Sequence, residues 1–210
     1  MTHLVLLGDS IFDNASYVGE QPEVIYQLKA KLPDTWNATL KAIDGDRIDD
    51  VYAQLEQLPE DATHLILSVG GNNALSHLGI LNRSVNSSAQ VFNELADISQ
   101  EFERQYHKLL QEILSFDLPT TICTIYYPNH SQYLERRIAI AALATFNDVI
   151  IRQAFQAGIP LIDLRLTCNQ PQDYANPIEP SAIGGEKITN AIMNVVLEHN
   201  FQKPHTQVFY

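Results

Sequence analysis

The sequence predicts an α/β fold, a three-layer α/β/α sandwich built on a parallel sheet. The chain has 210 residues, of which 45% are hydrophobic, enough for one domain with a full core. Short apolar runs rich in Val, Ile, Leu and Thr alternate with stretches whose apolar residues recur every three or four positions. Because alternating strands and helices pair in parallel through right-handed crossovers, we expect helices on both faces of the sheet.

Five apolar runs are interpreted as buried strands, and together they predict a five-stranded sheet. In chain order they are residues 4–7, 38–43, 64–69, 120–126 and 160–164. The stretches between them show helical spacing, and the helix over 138–155 ends before Gly158. No repeat or Pro/Gly-rich linker divides the chain, which predicts one domain over residues 1–200. The tail, 201–210, has no period and is expected to lie loosely on the surface.

The net charge restricts the expected partners, and the first residues of the chain restrict the expected location. The 25 acidic and 13 basic residues give a formal net charge of −12, which disfavours nucleic acid and anionic membrane surfaces. The first residues lack a basic region, and their apolar run stops at Gly8, too short for a signal or a membrane span. A cytoplasmic location is expected. Cys123 and Cys168 lie among apolar neighbours and are interpreted as buried free thiols.

Polar, Gly-containing segments follow the predicted strands, at the edge where an open parallel sheet binds ligands. Ser10, after the first strand and Gly8, fits an exposed nucleophile, although such a serine also serves as a helix N-cap. Gly45 can bring a bare backbone N–H to a substrate, and Asn72 can supply an amide donor. Each alone is typical of a turn, but in this order they converge on one cleft with an oxyanion hole.

The segments Gly8-Asp9-Ser10, then Gly45, then Gly70-Gly71-Asn72 resemble the first three sequence blocks of the SGNH, or GDSL-type, hydrolases. The resemblance covers nearly the whole domain and implies a flavodoxin-like sheet and esterase or lipase activity. It also implies that Ser10 is the nucleophile. The N–H groups of Ser10 and Gly45, with the Asn72 amide, would then form the oxyanion hole.

The last block departs from the family pattern, Asp-x-x-His-Pro, in which His is the base and Asp orients it. This chain reads Asn176-Pro177-Ile178-Glu179-Pro180, which puts Glu179 at the histidine position and Asn176 at the aspartate position. An ordinary Glu has a pKa of about 4.3, some two units below that of His, so it is the weaker base unless burial raises its pKa. Asn73 also stands where the family usually has Asp.

Three assignments of the base remain open: Glu179, another histidine in the same space, or no base at all. Among the histidines, His130 follows the fourth strand and is the alternative candidate, while His77 could line the pocket. Arg165 would lower the pKa of Glu179 by pairing with it, but a pair with Asp163 is favoured.

The function predicted from these residues is hydrolysis of a small or acyl ester through a Ser10 acyl-enzyme, with no cofactor and no metal. The alternative is a catalytically impaired protein that binds an acyl or carbohydrate ligand in the same cleft. A metal-dependent phosphatase is a third hypothesis, because Asp44-Gly45-Asp46 resembles the Asp-x-Asp loop of haloacid-dehalogenase phosphatases. Substrate identity and oligomeric state are left open by the sequence.

Overall fold

A computed structural model describes residues 2–210, and Met1 lies outside the described residues. Its sheet has six parallel strands in the order β2-β1-β3-β4-β5-β6. The strands are β1 (His3–Gly8), β2 (Asn37–Leu40), β3 (His64–Ser68), β4 (Thr120–Cys123), β5 (Leu161–Ile162) and β6 (Val208–Phe209). The predicted three-layer α/β/α architecture is therefore confirmed, with one strand more than expected.

In the described part of the chain, eight α-helices connect the strands: α1 (Ala15–Val18), α2 (Val24–Lys31), α3 (Val51–Leu55), α4 (Gly71–Leu75), α5 (Ser88–Leu114), α6 (Tyr133–Ala157), α7 (Leu164–Thr167) and α8 (Ala182–Glu198). Two short 3-10 helices, Leu78–Asn82 and Pro171–Asp173, complete the elements. Successive residues of a strand point to opposite faces, so Val5 and Leu7 pack toward α3, α5 and α6. Leu4 and Leu6 pack toward α2, α7 and α8.

Four strands end earlier than the sequence predicts, β3 by one residue, β5 by two, and β2 and β4 by three. In β2 and β4 other groups replace the ladder partners. After Leu40, the N–H groups of Lys41 and Ala42 both donate to the Leu6 carbonyl, which bends the chain out of the sheet. After β4, the side-chain amide of Asn147 accepts from the Ile125 N–H and donates to its carbonyl, both at 2.8 Å. Both bends lie at the carboxyl edge of the sheet, so the residues that follow them form loops there.

The tail is the clearest correction to the sequence-based expectation. Residues 201–210 do not lie loosely: β6 adds to the edge of the sheet beside β5. The Asp163 N–H donates to the Phe209 carbonyl at 2.8 Å, and the Phe209 side chain is only 6% exposed. A strand of two residues is too short to show a period, which is why the sequence pattern missed it.

Among the helices within residues 2–210, α6 alone is long and apolar enough to cross a membrane, judged by length and composition. Helices buried in soluble cores pass the same test. The C-terminal half of α6 packs into the core through Phe146, Val149 and Ile150. The match is therefore weak evidence for a membrane span.

Replacing the buried tail anchor tests the sixth strand. Phe209→Ala should lower the free energy of unfolding by about 3 kcal/mol, because it empties a packed site against β5. Tyr210→Ala is the matched control and should change it by less than about 0.5 kcal/mol, since that side chain is 72% exposed. Urea unfolding measures both. Equal effects would show that the tail is not docked.

Candidate active site

The first site loop begins where β1 comes closest to β3. Gly8 has a φ of +122°, and a Cβ at this position would lie 1.8 Å from the carbonyl oxygen of Ser68. Its N–H donates to Oε1 of Gln54 at 2.8 Å, and its carbonyl accepts from Nε2 of the same side chain at 2.8 Å. Glycine is thus required here, and Gln54 fixes the point from which Asp9 and Ser10 leave the sheet.

Ser10 lies in a tight turn directly above this point. The N–H of Phe12 donates to the Asp9 carbonyl at 3.1 Å, and that of Asp13 donates to the same oxygen at 3.2 Å. The prediction of an exposed serine is wrong, because Ser10 is buried and only 7% exposed. Within residues 2–210 its backbone N–H donates to no acceptor. The turn therefore holds a hydroxyl and an unused N–H at the carboxyl edge of the sheet.

Gly45 and Asn72 come together from the loops after β2 and β3. Nδ2 of Asn72 donates to the Asp46 carbonyl at 2.9 Å, which links the two loops and leaves its second hydrogen available. Gly45 has a φ of +88° and, among the described residues, an N–H with no acceptor. Nε2 of Gln54 also donates to Oδ2 of Asp46, at 2.8 Å. One side chain thus ties the Ser10 loop to the Gly45 loop.

Glu179 meets Ser10 from the loop before α8. Within residues 2–210 no hydrogen bond joins the Ser10 hydroxyl to the Glu179 carboxyl group, but the hydroxyl lies near enough to act to lower the pKa of Glu179. Glu179 is 7% exposed, and its Oε2 has no hydrogen-bond partner within residues 2–210. Contacts between a nucleophile and its base are often loose without substrate. Ser10 therefore faces a carboxylate where the family pattern has an imidazole.

Asn176 organises the backbone of this loop. Its Oδ1 accepts from the N–H of Ile178 at 2.9 Å and from the N–H of Glu179 at 3.0 Å. Asn176 thus holds the backbone of Glu179. In the described chain no hydrogen bond joins the Asn176 side chain to the Glu179 carboxyl group, which the sequence predicts it to orient.

Further anchors fix the loop on both sides. The Asn129 N–H donates to the Pro177 carbonyl at 2.8 Å, and the Tyr126 hydroxyl donates to the Ile178 carbonyl. On the other side, Nδ2 of the fully buried Asn14 donates to the Pro180 carbonyl at 3.2 Å. Glu179 is thereby held between the β4 loop and the Ser10 loop.

Burial sets the protonation of the two carboxyl groups nearest Ser10. Desolvation raises the pKa of Glu179 from 4.5 to about 7, and the negative charge of Asp44 adds to the rise. Desolvation also raises the pKa of Asp9 from 3.8 to about 7, against a hydrogen bond from the Ile11 N–H that lowers it. A carboxyl with a pKa near 7 is matched to proton transfer at neutral pH.

Arg165, His130 and His77 are the other candidates that the sequence offers. The expected pair of Arg165 with Asp163 is confirmed, with two contacts of 2.7 and 2.6 Å. Within residues 2–210, His130 forms no hydrogen bond with Ser10 or Glu179. His77 lines a groove of about 420 Å³ together with Arg47 and Asn73. No group of three or more His, Cys, Asp or Glu side chains in the described chain could hold a metal ion.

Two positioning residues were missed by sequence reasoning. Gln54 occupies a buried position of α3, three residues after Val51 on its apolar face, and a polar residue there was the available signal. Asn14 offered no signal, because its partners, Val24 and Pro180, are distant in sequence.

A comparison with known protein families shows which family this chain belongs to. A family model described as the GDSL-like lipase/acylhydrolase family matches residues 6–185. The chain belongs to this family. The comparison with curated proteins gives no match.

Solved structures of lipolytic proteins and of an esterase share the fold. The extracellular lipase of Streptomyces rimosus aligns at a TM-score of 0.68 with 19% identity, over 92% of this chain and 99% of that one. The acetyl xylan esterase AlAXEase aligns at 0.69 with 18% identity, over 92% and 99%. A lipolytic G-D-S-L family protein of Veillonella parvula aligns at 0.71 with 16% identity, over 95% and 100%. At these identities the likeness is one of fold.

The buried carboxyl of this GDSL-like site should reduce stability at alkaline pH. Below pH 4.5 Glu179 is protonated in both the folded and the unfolded chain. Above that pH Glu179 ionises in the unfolded chain first, so the free energy of unfolding falls until the pH reaches about 7. Glu179→Gln should therefore raise the free energy of unfolding at pH 8 by about 1–3 kcal/mol, and by little at pH 4. Urea unfolding at both pH values measures this, with the exposed Glu198→Gln as control. A gain that does not depend on pH would contradict the assigned cause.

Proposed function

We propose that this chain is a serine ester hydrolase in which Ser10 is the nucleophile and Glu179 the general base. The observation that carries the proposal is the buried Glu179 carboxyl, with a pKa near 7, facing the Ser10 hydroxyl. Membership in a family of lipases and acylhydrolases supports the reaction class. The lipase and esterase activities named for the structural neighbours support ester substrates.

The first half-reaction forms an acyl-enzyme. The Ser10 oxygen attacks the ester carbonyl carbon while its proton passes to Glu179, and the carbonyl π electrons move to the oxygen. The N–H groups of Ser10 and Gly45 and the free amide hydrogen of Asn72 donate to that oxyanion. As the intermediate collapses, the bond to the alcohol oxygen breaks, and Glu179 returns its proton to the leaving alcohol.

The second half-reaction uses the same groups in the same roles. Glu179 takes a proton from water as the water oxygen attacks the acyl carbon, and the oxyanion forms again at the three donors. The bond to Ser10 then breaks, and Glu179 protonates the departing serine oxygen. The products are the alcohol and the acid, and the enzyme returns to its starting state.

A carboxylate base changes the charge balance of the site, and this accounts for Asn176. Histidine becomes a cation when it takes the serine proton, and an adjacent aspartate stabilises that cation. Glutamate becomes neutral instead, so it needs no acidic partner to stabilise its protonated form. Burial of Glu179 favours the neutral state that exists while the oxyanion is present.

Active-site substitutions test the proposal with short-chain nitrophenyl esters. Ser10→Ala should abolish turnover, and Glu179→Gln should lower kcat by roughly 10³-fold or more. In the wild type, kcat/KM should rise with pH through about 7, because Glu179 must be ionised to accept the proton.

Other results of these experiments would support a different assignment or a different function. Activity that survives Ser10→Ala would reject the nucleophile, and activity kept in Glu179→Gln would transfer the base role to another group such as His130. Saturable ligand binding without turnover would favour the alternative, a catalytically impaired protein. The missing histidine of the last block supports that alternative. A requirement for Mg²⁺ would favour the phosphatase hypothesis.

The oxyanion hole makes a separate prediction. Asn72→Ala should lower kcat by about 10²- to 10³-fold with little change in KM, because its amide hydrogen is used only as negative charge develops. Asn73→Ala is the neighbouring control: its Oδ1 accepts from the Ile48 N–H at 3.1 Å, so its loss should affect stability more than kcat. Steady-state kinetics on one ester distinguishes the two variants. Equal losses of kcat would place the third donor elsewhere.

A further inference from the structure

Packed imidazole and phenyl rings surround the C-terminal end of α8. This group is called the histidine cluster below and consists of His64, His199, Phe201, His205 and Phe209. We propose that the histidine cluster holds β6 against the sheet at neutral pH and releases it under mildly acidic conditions. The proposal concerns the tail of the chain and does not depend on the proposed reaction.

His199 is the centre of the histidine cluster. It directly follows α8 and is only 7% exposed, and its ring is stacked on that of His205, with 4.6 Å between the centroids and 26° between the planes. Phe201 and Phe209 meet the His199 ring edge to face, at centroid distances of 4.8 and 6.2 Å. His64, at the start of β3, meets Phe201 in the same way at 5.3 Å. Because Phe209 belongs to β6, the packing that buries His199 also anchors the strand.

The three histidines of the cluster lack acidic partners. Nδ1 of His199 lies 3.5 Å from Oε1 of Gln207, and Nδ1 of His205 lies 2.9 Å from the Lys203 carbonyl. In the described chain, no carboxylate forms an ion pair with His64, His199 or His205. Lys203, two residues before His205, is itself a cation. A proton added to these rings therefore brings a positive charge that no paired anion offsets.

The elements around the histidine cluster do not supply that anion either. Within residues 2–210, Glu198, at the end of α8, forms no ion pair with a cluster histidine. Asp61, before β3, and Asp163, after β5, are already paired with other side chains. The tail meets α6 through uncharged groups, because the Thr206 hydroxyl donates to the Ala154 carbonyl at 2.9 Å. Two protonated rings stacked in this place would repel each other.

Burial links the protonation of His199 to the docking of the tail. Burial lowers the pKa of His199 from its ordinary value of 6.5, the hydrogen bond with Gln207 acts against this shift, and the charge of His205 adds to it. Burial also lowers the pKa of His64. Because His199 binds a proton less readily when the tail is docked, docking is most favoured above about pH 6.5 and weakens as the pH falls below that value.

Few other interactions hold β6. The N–H groups of Leu161 and Asp163 donate to the carbonyls of Gln207 and Phe209, at 3.0 and 2.8 Å. A strand of two residues at the edge of a sheet opens at a lower free energy than the whole domain, so protonation should release the tail before it unfolds the fold. Release would make β5 the edge strand and leave these two N–H groups without their acceptors.

Amide hydrogen exchange followed by NMR tests the release. Protection factors, corrected for the intrinsic effect of pH on exchange, are compared at about pH 7.5 and about pH 5. In the wild type, the protection of Leu161 and Asp163 should fall by about tenfold or more at the lower pH, whereas that of the central strand β1 should not fall. Unchanged protection of Leu161 and Asp163 would overturn the proposal, and so would an equal fall in β1, which indicates global unfolding.

Two substitutions assign the effect to the stacked rings. His199→Phe removes the buried titrating group and should reduce the fall in protection to less than about twofold. His205→Phe keeps a ring stacked on His199 but removes the neighbouring charge, and should reduce the fall to about threefold. Since His205 is exposed, this second variant should fold even if His199→Phe does not.

His77→Phe is the matched control. It makes the same replacement at an exposed histidine outside the histidine cluster and should keep the fall seen in the wild type. An equal reduction in His77→Phe would assign the effect to overall charge and contradict the proposal. A fall that neither cluster variant reduces would show that other groups control β6, which would also contradict it.

Discussion

The close approach of β1 to β3 at Gly8 is the constraint on which the rest of the site depends. No side chain fits between Gly8 and the Ser68 carbonyl, and Gln54 takes both backbone groups of Gly8 while it also binds Asp46. The Ser10 loop and the Gly45 loop are thus both held by the Gln54 side chain. The Asn72 side chain adds a third loop through its hydrogen bond to the Asp46 carbonyl. Under the proposed mechanism, donors held in this way need no rearrangement as charge develops on the substrate.

At position 179 this chain has a carboxyl group where the family pattern has an imidazole, which changes the charge of the side chain. The anchors on both sides act on the backbone of loop 176–180, so the loop does not depend on which side chain stands at position 179. What the exchange requires is a pKa near neutrality, and burial supplies it. The same burial costs stability whenever the carboxyl is ionised, and such a cost is typical of functional groups held in desolvated sites.

The sequence predicted the alternation of strands and helices in the fold, and it predicted the site loops that directly follow strands. The strand-helix alternation set the architecture, and the order of strand ends brought the loops of Ser10, Gly45 and Asn72 to one edge. It could not predict β6, since two residues carry no period, or the contacts of Gln54, since they join positions 46 residues apart. Nor could it give the pKa of Glu179, because that value depends on burial by the assembled loops.

Under the proposed mechanism, the charge of Asp44 acts on the base. It raises the pKa of Glu179 and so strengthens the carboxylate as a proton acceptor, while it lowers the fraction that is ionised below neutral pH. The acid product is an anion, and the negative charge of Asp44 repels it, which favours its release.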